Sequence, residues 1–167
     1  MKTSDDLIFL RTQLAKWASP FSGTVEIASD IVHLFALLSI KPGGFRIAVK
    51  WKGEDKRGEY EEAGMVDARY WVCLSFGNSM LLNKGSALAE PSGGGDPWAD
   101  TVEACRDFIR GLQFDPASTE AGPNYLGVHE LIDISPEFLV DGYYLEFLIG
   151  KLLPAAQPGA VQTPQIE

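Results

Sequence analysis

The chain has 167 residues, 46% of them hydrophobic, and a formal charge of −9. That length favours one domain with room for a core, and that apolar content excludes an intrinsically disordered chain. The acidic surplus disfavours a tight nucleic-acid grip, which needs Lys and Arg to displace counterions from phosphates. It is compatible with solubility, and with a wall past which DNA moves without sticking.

Ser4, Asp5 and Asp6 open a first helix, where acidic groups favour the positive helix end. Leu7, Leu10, Leu14 and Trp17 recur at helical spacing, and Ser19, Pro20 and Gly23 end the run. The segment can begin as a strand over Thr24 to Ala28, because Val25 and Ile27 alternate, but Ile27, Ile31, Leu34, Phe35 and Leu38 share a helical face. The favoured reading is a helix over about Asp30 to Ser39. Lys41-Pro42-Gly43-Gly44 then makes a turn.

The period changes to two after that turn. Phe45, Ile47, Val49 and Trp51 point one way, and Arg46, Ala48, Lys50 and Lys52 the other. This predicts a half-buried strand with a basic outer face. Gly53 to Gly64 reads as a charged connection. Val66, Ala68, Tyr70, Val72, Leu74 and Phe76 predict a second, longer strand, antiparallel to the first, with Asp67, Arg69, Trp71, Cys73 and Ser75 on its other face.

Residues 77–95 form a loop of unusual length, and such loops tend to be functional or mobile. Within it Met80, Leu81 and Leu82 are apolar and suited to docking on a partner. A helix follows over Asp96 to Leu112, with Asp96 as N-cap and Pro97 at its first position. Trp98, Val102, Cys105, Ile109 and Leu112 fall on one face. Leu126, Val128, Ile132 and Ile134 predict a strand, with Glu130 an exception in the apolar row. Asp141-Gly142 offers a turn into a last strand marked by Tyr143, Leu145, Phe147 and Ile149. The sum is an α+β domain over 1–153: a mainly antiparallel sheet of about four strands packed against two to three helices on one side. Residues 154–167, rich in Pro, Ala and Gln, read as a disordered tail.

The chemistry-bearing residues are sparse. His33 and His129 are the only histidines, and there is no HExxH or CxxC spacing, so no metal or other cofactor is expected. Cys73 and Cys105 lie far apart among apolar neighbours, where a thiol is inert. Gly77-Asn78-Ser79 begins a serine elbow, but Leu81 stands where its last glycine belongs. The triple glycine at 93–95 precedes a helix, an anion-friendly arrangement, but no Lys-Ser or Lys-Thr pair follows. Glu61-Glu62 and Asp133 with Glu137 supply acidic pairs without a reason for a raised pKa. No enzyme is expected from these residues. No run of about 18 apolar residues predicts a membrane span, and no basic region leads into an apolar run at Met1–Asp6, so no leader peptide is expected.

Several phrases along the chain carry a resemblance. They are Leu7-Ile8-Phe9-Leu10-Arg11-Thr12-Gln13-Leu14 in the opening helix and Ile40-Lys41-Pro42-Gly43-Gly44-Phe45-Arg46-Ile47-Ala48-Val49 at the first strand. With them go Ala68-Arg69-Tyr70-Trp71-Val72-Cys73-Leu74, Trp98-Ala99-Asp100-Thr101-Val102 and Gly142-Tyr143-Tyr144-Leu145-Glu146-Phe147. In their order, over roughly residues 5–150, they resemble the tail terminator proteins of long-tailed phages, the minor tail protein U and prophage tail-completion family. The resemblance implies a structural protein without catalytic, cofactor or metal residues. Its members form a homohexameric ring on the finished tail tube, stop tube polymerisation and present a surface to the head-completion or connector proteins. DNA passes through without specific binding, and no membrane is involved. Location in the virion tail, after assembly in the bacterial cytoplasm, is implied as well.

Within that reading Arg46, Lys50 and Lys52 are candidate assembly contacts, able to meet an acidic surface of a neighbour, and Met80, Leu81 and Leu82 are further candidates. A small-molecule or peptide-binding module, with the 77–95 loop as a lid, is the alternative. Another head–tail connector or tail component would have a similar composition.

Overall fold

The computed structural model describes residues 2–19, 24–39, 46–56, 64–75, 97–114, 122–138, 140 and 142–152. The elements in chain order are α1 (Thr3–Ala18), β1 (Thr24–Ile27), α2 (Ile31–Ser39), β2 (Arg46–Lys56), β3 (Met65–Ser75), α3 (Pro97–Arg110), β4 (Asn124–Glu130) and β5 (Gly142–Leu152). Short 3₁₀ turns at Leu131–Asp133 and Pro136–Phe138 link the last two strands. The strands make one sheet in the order β1-β2-β3-β5-β4. β1 runs parallel to β2, and every other pair is antiparallel.

The α+β class expected from the alternating and helical periods stands, with two corrections. The sheet has five strands rather than about four, because Thr24–Ile27 is a strand as well as the lead-in to α2. The helices also lie on both faces of the sheet. A parallel pair needs a crossover connection, and α2 is that crossover.

On the first face, Leu10 and Leu14 of α1 and Val102, Cys105 and Ile109 of α3 join the alternate residues Ile47, Val49, Ala68, Tyr70, Val72, Leu74, Leu145 and Phe147. On the second face, Leu34, Phe35 and Leu38 of α2 meet Ala48 and Cys73, with Leu131 and Val140 beside them. β3 is therefore covered on both sides at its C-terminal end, where Cys73, Leu74 and Ser75 are all fully buried. The Ser75 hydroxyl donates to the Leu38 carbonyl at 3.0 Å, so this buried polar group is satisfied.

The long hairpin of β2 and β3 extends past the core. Its register shifts between Trp51 and Glu54, where Gly53 has φ +99°. Side chains with a Cβ rarely adopt that conformation, which explains a glycine at the bulge. The bulge carries β2 on to Lys56, four residues beyond the Lys52 end read from alternation. Gly142 opens β5 at φ +153°, and a Cβ there would lie 2.0 Å from the Leu74 carbonyl oxygen. The chain passes too close to β3 at this point for any side chain.

β4 ends at Glu130, so Ile132 and Ile134 are not part of it, contrary to the alternation from Leu126 to Ile134. Glu130, the exception in the apolar row, is the last strand residue. Leu131 then turns inward into the second-face core. The Asp96 cap, the 77–95 loop, the 154–167 tail and the side chain of Trp98 lie outside what the structure describes.

Candidate functional site

The three strand cations do not form one free basic face. Ala48, between Arg46 and Lys50 on that row, is fully buried under α2, whose close approach its small side chain permits. Arg46 Nη1 donates to Thr24 Oγ1 at 3.3 Å, across the parallel pair. Lys50 Nζ donates to the Ser29 carbonyl at 3.1 Å, at the entrance to α2. Burial, and then the Lys52 charge, hold the Lys50 ammonium below its ordinary value. Lys52 alone lies on an open part of the sheet, with Nζ 4.1 Å from the Trp71 ring centroid. Met80, Leu81 and Leu82 lie outside the described residues.

Lys52 and Trp71 begin a row that crosses four strands of the second face. The Trp71 and Tyr144 ring centroids are 4.7 Å apart, and those of Tyr144 and His129 are 5.2 Å apart. Registers Lys50↔Trp71, Cys73↔Tyr144 and Tyr144↔His129 bring these side chains side by side. Below the row, Glu146 Oε2 accepts from Trp71 Nε1 at 3.0 Å and from Arg69 Nη1 at 3.3 Å. Arg69 also reaches Asp55 at 3.5 Å.

The first face holds a different polar group, which sequence reading missed. Asp6 was expected only as a charge at the helix start; it is 1% exposed. Its Oδ2 accepts from the Tyr70 hydroxyl at 2.8 Å and from Lys151 Nζ. The carboxylate joins the first turn of α1 to the middle of β3 and the end of β5. Burial, and then the Asp6 charge, push the Tyr70 hydroxyl far above its ordinary value. One signal was present: Asp6 stands four residues before Leu10 and eight before Leu14, on the apolar stripe.

The remaining reactive groups are engaged or inert. Burial pushes both the Cys73 and Cys105 thiols well up, so neither is a thiolate at neutral pH. His33 Nδ1 accepts the Ser29 backbone N–H at 3.1 Å, and Asp30 accepts the His33 N–H at 2.8 Å as the cap of α2. That backbone N–H bond holds the Asp30 carboxyl below the ordinary carboxylate range. Among the described residues, no group of three or more His, Cys, Asp or Glu is placed to hold a metal ion.

The two edges of the sheet are the other notable surface. Among the described residues no strand lies outside β1 or outside β4. Two apolar side chains of β4 face solvent there, Leu126 at 45% and Val128 at 40% exposure, and Ile132 is exposed in the turn that follows. No helix among the described residues is long and apolar enough to cross a membrane. No family model matches this chain, and no curated protein matches it.

Proposed function

We propose that this chain is a structural subunit that closes into a ring on the end of a phage or prophage tail tube. The ring ends tube polymerisation and offers a surface to head-completion or connector proteins, as the resemblance to tail terminators implies. The observation that carries the reading is that, among the described residues, the sheet has two different open edges, β1 on one flank and β4 on the other. A ring is built from heterologous contacts, in which two unlike surfaces of one chain meet head to tail. An edge strand among the described residues, with solvent-facing Leu126 and Val128, has the character of such a surface. The net charge of −9 suits a channel that DNA traverses without sticking.

In this reading the protein is not an enzyme, works in the virion tail, and contacts itself, the tube protein and the connector. Light scattering over a wide concentration range tests it, with a species near six times 18.2 kDa as the expected outcome. A strict monomer that also forms no rings on purified tail tubes overturns it. Lys50 and Lys52 remain candidate contacts for an acidic neighbouring surface. Reversing both charges without effect on assembly removes them from the interface.

The half-open row Lys52–Trp71–Tyr144–His129 favours a second reading, a small-molecule or peptide-binding module. A ligand that raises the unfolding temperature and quenches Trp71 fluorescence supports that reading instead.

A further inference from the structure

The geometry points to a specific ring contact: the β4 edge of one copy pairs antiparallel with the β1 edge of the next, extending the sheet from subunit to subunit. This rests on the ring reading above and names the partner surfaces of that ring.

Strand direction supplies the first argument. β1 and β2 run the same way, β3 runs against them, β5 with them, and β4 against them. If the next copy continues the sheet with the same face up, its β1 arrives antiparallel to β4. Antiparallel pairing is the slightly more stable arrangement per residue.

Length supplies the second. The bulge between Tyr125 and Gly127 breaks the regular edge of β4, which leaves Gly127 to Glu130 as an unbroken stretch. β1, Thr24–Ile27, can set Val25, Glu26 and Ile27 against Glu130, His129 and Val128 of that stretch.

Side-chain chemistry supplies the third. Val25 and Ile27 lie on the first face, as does Val128 through its register with Leu145. Glu26, paired with Ala48, lies on the second face, as does His129, paired with Tyr144. A register that sets His129 opposite Glu26 of the next copy also sets Val128 opposite its Ile27. On the first face Val128 then meets Ile27 while Glu130 falls opposite Val25, and on the second face an imidazole meets a carboxylate. The exposed part of Val128 is covered in the same step. Pairing β4 with a second β4 would instead give a closed two-fold dimer, and would set no imidazole against Glu26.

The test is disulfide trapping. Directly opposed residues of an antiparallel pair have Cα atoms about 4.5–5.5 Å apart, within reach of a disulfide. The native Cys73 and Cys105 are fully buried and do not interfere. The double variant Glu26→Cys with His129→Cys, oxidised in the assembled state, is expected to give a ladder of cross-linked multimers on a non-reducing gel. Each single variant is expected to stay uncross-linked.

Dimers from His129→Cys alone mean that β4 pairs with itself, and they overturn the inference. A multimeric mass without any ladder also overturns it, while the ring reading stands on other surfaces. A monomeric mass at every concentration, with no ladder, overturns the inference and counts against the ring as well. A charge exchange adds an arm that leaves each subunit's own core untouched. Glu26→Lys is expected to move assembly to at least tenfold higher protein concentration, and Glu26→Lys with His129→Glu to restore it. Undiminished assembly of Glu26→Lys overturns the pairing, and thermal unfolding of each variant confirms that the subunit is still folded.

Discussion

The two faces of the sheet handle their polar groups differently. On the first face, Asp6, Tyr70 and Lys151 are sunk among apolar side chains, and the carboxylate takes both donors. On the second face, Glu146, Arg69, Trp71 and Lys52 form a comparable network at the half-exposed surface beyond the cover of α2. Similar pairs therefore have different worth. Removing one partner of a buried ion pair leaves an uncompensated charge, whereas a partly exposed pair is screened by water. The first face fixes the position of α1, and the second leaves side chains available to a partner.

The sharpest way to break this comparison is to remove the buried acid. Asp6→Ala should cost about 3–5 kcal/mol of stability by denaturant unfolding, because Lys151 is left buried without its carboxylate. A cost below about 1 kcal/mol would place Asp6 with the solvated charges. Next is Gly142→Ala, expected to cost about 2–4 kcal/mol from the close Leu74 carbonyl and the positive φ.

Tyr70→Phe follows, at about 1.5–3 kcal/mol for a hydrogen bond to a charged group, and it also sharpens the comparison through pH. The folded-state pKa of Tyr70 is raised above its ordinary 10.0, and those of Cys73 and Cys105 above 9.0, in all three cases chiefly by burial. A group whose pKa is raised by folding contributes fully below its unfolded value and loses that contribution as pH rises past it. Stability should therefore fall from about pH 9 upward. Tyr70→Phe should make the part of the fall above pH 10.0 shallower and leave the thiol part unchanged.

The smallest effects belong to the second face. Glu146→Gln should cost about 1 kcal/mol and shift Trp71 fluorescence, because the indole N–H loses a charged acceptor. Lys52→Ala should cost only about 0.5–1 kcal/mol, the worth of an exposed cation–π contact.

Much of the local structure was legible in the sequence. The alternation of Val66, Ala68, Tyr70, Val72 and Leu74 marks β3, and that of Leu145, Phe147 and Ile149 marks β5. The helical stripe of Val102, Cys105 and Ile109 marks the buried face of α3. The errors share a cause. Ala48 sits among Arg46, Lys50 and Lys52, and a small residue between cations reads as part of a polar face. Whether a helix lies over it depends on the β1–α2–β2 crossover, which periodicity does not encode. β1 was legible only as an alternative, because Val25 and Ile27 run directly into the helical spacing of α2. β4 was drawn too long because Leu131 follows the apolar row but turns into a different layer.

The candidate site was less legible than the fold. Arg46, Lys50 and Lys52 were singled out by their shared strand face, but each has a different neighbour: Thr24, Ser29 and Trp71. The row through Trp71, Tyr144 and His129 depends on registers between strands far apart in the chain.

By itself the sequence determined the character of each element: which residues alternate, which share a helical stripe, and which thiols sit among apolar neighbours. These follow from the two backbone periods and from local hydrophobicity, which act over a few residues. Tertiary structure alone decided the order β1-β2-β3-β5-β4, the division of helices between two faces, and the burial of Asp6 against Lys151. Each is a choice among partners distant in sequence, and the free energy that selects it comes from packing and desolvation summed over the whole core.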